Sequence, residues 1–232
     1  MPLREQRSVL ARYEDDTPIE PFRRYYLIFE GKNTEKKYFQ GIEGYRKELE
    51  INSAIELVIL SKEGEIRDYS SPKKLLELIN IKKEDLKSTS QYDEEIDRFV
   101  IVFDRDSFEK EEEYLEFIET AGSDNILTVT SPCFEIWLLL HYENALEVHI
   151  KPNEGAITLN KKISNAHSYI SSLCSEISGV NPKNNVNFPF IKDYVNLAIE
   201  EENKICQRNE EMFSVLGSNV GILIEDMKKI NE

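Results

Sequence analysis

Four short apolar runs punctuate the first half of the chain: YYLIF at 25–29, IELVIL at 55–60, FVIVF at 99–103 and NILTVT at 125–130. Each is rich in β-branched and aromatic residues and is bounded by polar or turn-forming ones, which predicts buried strands. The stretches between them change period. After Asn33 or Thr34 as a cap, Tyr38, Phe39, Ile42, Tyr45 and Leu49 recur at helical spacing. Ser71-Pro72 offers an N-cap and a first-turn proline to a helix carrying Leu75, Leu76 and Ile79. Residues 82–97 are polar and predict an exposed segment. Asp106 with Glu109 reads as a capping pair for a helix that buries Tyr114, Leu115, Phe117 and Ile118 and turns its glutamates to solvent. Ser131-Pro132 opens one more helix. Strands alternating with helices predict an α/β fold, a parallel-stranded sheet with helices on both faces, over residues 22–145. Residues 1–21 form an N-terminal arm. Residues 146–232 read as a helical region without strands, its helices at 157–177, 189–206 and 219–230, with the breaker-rich 179–188 between the first two.

Charge changes this picture in one place. The 232 residues carry 29 Lys and Arg against 44 Asp and Glu, a net charge of −15, which argues against a protein that coats nucleic acid by bulk electrostatics. The excess is concentrated in residues 101–150, which hold 2 basic and 12 acidic side chains. Most of these acids are accounted for by the solvated face of the third helix. Asp104, Asp106 and Glu135 are not, because they lie at the ends of elements. Cys133, Cys174 and Cys206 are odd in number and too scattered for a zinc clip or a disulfide framework, so a reducing cytoplasm is expected. No run is long enough to cross a membrane, and the first residues lack a secretion signal. Among the histidines, His141, His149 and His167 lack metal-ligand spacing, and His141 reads as a helix residue.

In open parallel sheets, functional groups gather beyond the carboxyl ends of the strands. Glu30 directly follows the first run, Asp104 and Asp106 follow the third, and Glu135 falls in the first turn after the fourth. Singly, these are a loop residue, a cap and a favourable helix-start charge. Together they form a set of hard oxygen donors that repel one another unless a cation lies between them. That chemistry selects Mg²⁺ or Mn²⁺ and suits phosphoryl transfer. Two competing motifs are weaker. EGKNT at 30–34 lacks the upstream glycine and the Lys-Ser/Thr pair of a P-loop. Asp104-Arg105-Asp106 is similar to a haloacid-dehalogenase nucleophile loop, but it follows the third strand and not the first.

A Glu after one strand and an Asp-x-Asp after another resembles the Toprim domain of topoisomerases, primases and OLD-family nucleases. Phe29-Glu30-Gly31, Thr34-Glu35 and Tyr38-Phe39, then Phe103 to Asp106, and the segment PCFEIWLLLH at 132–141, resemble the motifs of RloB-like proteins, which are related to AbiL-type anti-phage defence components. Ser218-Asn219-Val220-Gly221 before Ile224 loosely matches the closing motif. The resemblance implies a Toprim-like, Mg²⁺- or Mn²⁺-dependent nuclease of anti-phage defence. It would cut DNA or RNA, with transfer RNA among the targets the analogy allows, and would work with an ABC- or AAA-type ATPase, a homo-oligomer being allowed. Carried over, Glu30 would be a metal ligand or general acid/base, Asp104 and Asp106 ligands, and Glu135 a further ligand or orienter. Lys32 and Arg105 would steady the scissile phosphate. The alternative expectation is a non-catalytic sensor or regulatory subunit of an ATPase complex, docked through its helical tail.

Overall fold

A computed structural model describes residues 3–7, 23–64, 69–164 and 167–229. The rest of the arm anticipated at 1–21 and the last residue of the helix anticipated to reach 230 lie outside the described residues.

Six strands form one sheet: β1 (Leu3–Arg7), β2 (Arg23–Phe29), β3 (Ile55–Lys62), β4 (Asp97–Asp104), β5 (Ile126–Ser131) and β6 (Gly217–Ser218), in the spatial order β1-β3-β2-β4-β5-β6. The four central strands pair in parallel, and β1 and β6 close the edges antiparallel. Alternation within the apolar runs makes the two faces. Tyr25, Leu27 and Phe29 of β2 point into one core with Val100 and Val102 of β4, while Tyr26 and Ile28 point into the other with Phe99, Ile101 and Phe103. Strands apolar on both sides are what a sheet covered on both sides requires.

The second face is covered by α2 (Pro72–Ser88) and α3 (Glu111–Gly122), and the first by α1 (Thr34–Gly44) and α4 (Glu135–Leu139). The same first-face core continues into the C-terminal helices α5 (Glu154–Leu159), α6 (Tyr169–Ser178), α7 (Phe188–Ile191), α8 (Val195–Glu202) and α9 (Val220–Lys228), through residues such as Ile170, Phe188, Ile199 and Ile224. The Tyr38 ring is its hub, meeting Phe134, Trp137, His141 and Phe188 edge-on. Gly41 lets α1 and α7 touch, since a Cβ there would run into the Phe188 ring. His141 is fully buried. The Trp137 carbonyl, 3.0 Å away, can only accept, so Nδ1 carries the proton and Nε2 accepts from the Tyr38 hydroxyl at 3.1 Å. Burial pushes its pKa down to about 4 and keeps the ring neutral. It is a core residue, remote from base catalysis.

Several sequence expectations change. The helix anticipated over 157–177 is two, α5 and α6, because Asn160 takes a left-handed conformation (φ 37°) at the end of α5 and the chain then forms a short bridge between Lys162 and Ser168. Hydrophobic spacing carries no trace of such a turn. Residues 82–97 are not simply exposed. Helix α2 runs on to Ser88 with Lys82 and Leu86 buried, the Lys82 ammonium pairing with Glu5, and Asp97 is buried against Arg24 at 2.9 Å. Helix α3 starts at Glu111 behind Lys110, so the Asp106–Glu109 pair caps nothing, and Leu115 is exposed. Helix α4 begins only at Glu135, beyond the turn that follows Ser131-Pro132. The C-terminal region does hold a strand, β6, too short to show alternation.

The closing motif has a structural role. Asn219 pairs with the edge of β5 as a peptide unit would: its Oδ1 accepts from the Val129 N–H at 2.7 Å and its Nδ2 donates to the Leu127 carbonyl at 3.2 Å. Ser218 Oγ and the Gly221 N–H donate to the wholly buried Glu202 at 2.6 and 3.0 Å. A buried donor left without its acceptor costs about 1–3 kcal/mol. Asn219→Ala should therefore lower the unfolding free energy by about 2 kcal/mol in a urea titration. A midpoint equal to wild type would show that the side-chain pairing is dispensable.

Candidate metal centre

Strand order dictates where the site lies. From β2 the chain moves to one neighbour, β3, and later returns on the other side with β4 and β5. The crevice between the carboxyl ends of β2 and β4 is thus the point where the winding reverses, the place open α/β sheets leave for ligands.

Glu30 and Asp104 meet there. Glu30 Oε2 accepts the Asp104 N–H at 3.1 Å, and Oε1 accepts a short hydrogen bond from Ser107. Asp104 Oδ1 accepts from Thr130 Oγ1 of β5 at 2.7 Å. The three-residue turn Arg105–Ser107 then carries Asp106, whose N–H bonds to the Pro132 carbonyl at 3.1 Å and whose Oδ2 accepts from Asn160 Nδ2 at 3.3 Å. Glu135, in the first turn of α4, is buried beside them. All four carboxylates singled out in the sequence are brought to one rim.

A fifth joins them. Glu35, in the first turn of α1, is 4% exposed, and its Oε1 accepts from the Gly31 N–H at 3.1 Å. Its carboxylate occupies the space a Cβ at Gly31 would need, which ties the glycine to the glutamate. Position 35 in the Thr34-Glu35 pair, one helix start beyond Glu30, was the available signal; hydropathy gave none. Lys62, at the end of β3, was also missed. Its ammonium donates to the Glu30 carbonyl at 2.9 Å and the Tyr69 carbonyl at 2.5 Å and feels the charges of Glu35 and Glu30.

The electrostatics are those of crowded, partly buried like charges. Burial first, then the charges of Glu35, Glu30, Asp106 and Glu135, hold the Asp104 carboxyl well above the carboxylate range. Burial, with Glu35 and Asp106 adding to it, moves Glu30 up to about 7 despite its bonds to Ser107 and the Asp104 N–H. Glu35 shifts upward by burial and the nearby Glu135. Asp106 also shifts upward by desolvation, held back by Asn160 and Arg105. Lys62 shifts downward because its burial outweighs the attraction of Glu35 and Glu30. Cys133 is buried and its thiol pushed up, which makes it an inert neighbour and not a nucleophile.

Glu35, Asp104, Asp106 and Glu135 line a cleft of about 540 Å³. Lys32 lines it too, but Arg105 does not. The Arg105 guanidinium lies near Ser131 Oγ (3.4 Å) and the Thr158 carbonyl (3.3 Å), with Phe213 beneath it at 5.7 Å, which leaves it a brace between β5 and α5. Glu30, half-buried and held by Ser107, is not among the residues that line the cleft. Among the described residues, no three His, Cys, Asp or Glu side chains already stand as a cage around one point. Glu30, Asp104 and Asp106 are instead turned onto neutral hydroxyl, amide and main-chain donors. The donor set, hard oxygens whose charges are mutually uncompensated, fits a divalent cation of the Mg²⁺ type.

A family model described as RloB-like protein matches residues 25–227. No curated protein and no solved structure matches the chain. Among the described residues no helix is long and apolar enough to cross a membrane.

Carboxyls raised above their unfolded values bind more protons in the folded state, so lowering the pH should stabilise the metal-free protein. In EDTA the melting midpoint should rise as pH falls from 8 to 7, where Glu30 takes up its proton and the opposing protonation of unfolded His141 is still small. Asp104→Asn should be more stable than wild type in EDTA by about 1 kcal/mol of unfolding free energy, and the gap should close or invert in Mg²⁺. A midpoint that falls over that pH window, or an Asn variant less stable than wild type in EDTA, would mean that the carboxylates are not in conflict.

Proposed function

The chain belongs to the RloB-like protein family, and from that premise and the carboxylates at its strand ends we propose that it is a Mg²⁺- or Mn²⁺-dependent nuclease hydrolysing phosphodiester bonds of DNA or RNA. We read its α/β sheet as Toprim-like and its setting as anti-phage defence alongside an ABC- or AAA-type ATPase. The observation that carries the enzyme reading is the convergence of Glu30, Glu35, Asp104, Asp106 and Glu135, from three separate stretches of chain, in one place where their like charges raise one another's acid range. Natural proteins keep such repulsion where function needs it.

Each residue then has a task. Asp104, Asp106, Glu35 and Glu135 would hold the ion from the cleft floor. When bound, it supplies Lewis acidity, polarising the phosphate and making a neighbouring water acidic. Glu30, with a pKa moved up to about 7 and fixed by Ser107, is suited to exchange a proton near neutral pH. Lys32, which lines the cleft, would meet phosphate oxygens. Lys62 holds the main chain of Glu30 and so the position of its carboxylate.

Incubated with labelled single- and double-stranded DNA and RNA, wild type should cut in Mg²⁺ or Mn²⁺ and not in EDTA. Asp104→Ala and Asp106→Ala should lose at least about 100-fold in rate while keeping wild-type circular dichroism. Equal cleavage by Asp104→Ala, or cleavage in EDTA, would rule the proposal out, and no cleavage by wild type in either metal would leave a regulatory subunit as the better description.

A further inference from the structure

The wall facing the acidic floor has the opposite character. Lys162 and His167 come from the turn between α5 and α6, Lys183 from the loop between α6 and α7, and Lys32 from the approach to α1, and all four line the cleft. In a chain of net charge −15 this is a local reversal of sign. The lysines are exposed, and Lys162 makes no ion pair among the described residues.

The wall is built and held. Lys183 sits between two anchored carbonyls: Thr34 Oγ1 donates to Pro182 O at 3.3 Å, and Lys37 Nζ to Asn184 O at 2.6 Å. The Lys162 turn is closed by its bridge to Ser168 and by the Ile163 and Ser164 N–H groups, which donate to the His167 carbonyl at 3.0 and 3.2 Å. Asn160, at its base, reaches Asp106 with Nδ2 and accepts the Ile170 N–H with Oδ1 at 3.2 Å. Lys162 and Lys183 are therefore held beside the carboxylates by the C-terminal region, while Lys32 comes from the first half of the chain.

We infer that this rim seats the phosphates flanking the scissile one, and that the substrate is a single strand of nucleic acid gripped through its backbone. The inference rests on the nuclease reading. Lysine ammonium groups pair with phosphate oxygens as point charges and carry no base preference. The cleft, at about 540 Å³, has the volume of a small-molecule site. Cations on one wall and carboxylates on the floor of the same cleft ask successive phosphates to turn to different sides, a freedom that an unpaired strand has and a stiff duplex lacks. Of the rings that line the cleft, Phe134 is 1% exposed and offers no stacking face, while His167 lies among the rim cations, so the grip comes chiefly from charge on the backbone. The net negative charge then works as a filter, repelling long polyanions except where the rim meets them.

The test uses the full chain and fluorescence anisotropy in Ca²⁺, with a labelled 12-nucleotide single strand as DNA and as RNA, and a duplex of the same sequence. The single strand should bind at least about 10-fold tighter than the duplex, and the DNA and RNA arms identify which sugar is preferred. With Lys32, Lys162 and Lys183 each meeting one phosphate, log K should fall with log salt at a slope of about −2. Lys162→Glu and Lys183→Glu, both on exposed positions, should each weaken binding about 10-fold or more and flatten that slope, while the Asp104→Ala variant still responds to the rim substitutions. Equal affinity for duplex, no affinity for either single strand, or rim variants that bind like wild type would overturn the inference. Asp104-dependent cleavage that ignores the rim variants would also overturn it while the nuclease reading stands. Rim-dependent strand binding without any cleavage by wild type would uphold the rim as a strand-binding surface, overturn its place beside a scissile phosphate and count against the nuclease reading.

Discussion

Mutual repulsion among carboxylates is the constraint around which this molecule is arranged. Glu30, Glu35, Asp104, Asp106 and Glu135 are pressed together where burial weakens solvent screening, and the acid range of the first four is displaced upward. Left to itself such a group would spread apart or fill with water. It stays because each backbone segment that carries it is anchored elsewhere: Glu30 and Asp104 on adjacent paired strands, Asp106 through the Pro132 carbonyl, Glu35 and Glu135 on helices locked into one aromatic core. The hydrophobic effect over two large faces supplies the free energy that opposes the local repulsion.

That division of labour explains why residues far from the cleft are so closely packed. PCFEIWLLLH is buried from Cys133 through His141, and its Trp137 and His141 meet Tyr38 of α1. A side chain on α1 and a side chain on α4 can present carboxylates to the same cleft only if their helices keep a fixed separation, and the Tyr38 cluster sets it. The C-terminal helices complete the arrangement. They extend the same core, close the sheet edge through Asn219, and carry the loops whose lysines face the acidic floor.

The first and last parts of the chain therefore serve one site. Asn160 shows the coupling at the level of a single residue. Its left-handed backbone ends α5, its Oδ1 starts α6, and its Nδ2 meets Asp106. A substitution there acts on chain direction and on the acidic cluster together, so its effects are not separable by stability measurements alone.

The four central strands, the helices that alternate with them and the position of four of the five carboxylates were legible in the amino-acid order, because a two-residue period and a strand end are local properties. Apolar YYLIF followed by Glu30 places a charge at a strand terminus whatever the rest of the fold does. What lay outside local reach was set by pairing and packing. Which strands adjoin, and hence that Glu30 and Asp104 share a crevice, depends on sheet order. Glu35 entered the site because α1 turns that face inward. Arg105 left it because its guanidinium found the Thr158 carbonyl and the Phe213 ring. Strand β6, the turn at Asn160 and the buried Lys82 owe their states to partners distant in the chain. Such long-range contacts leave no periodic signature in the residues that make them, and only the folded structure decides them.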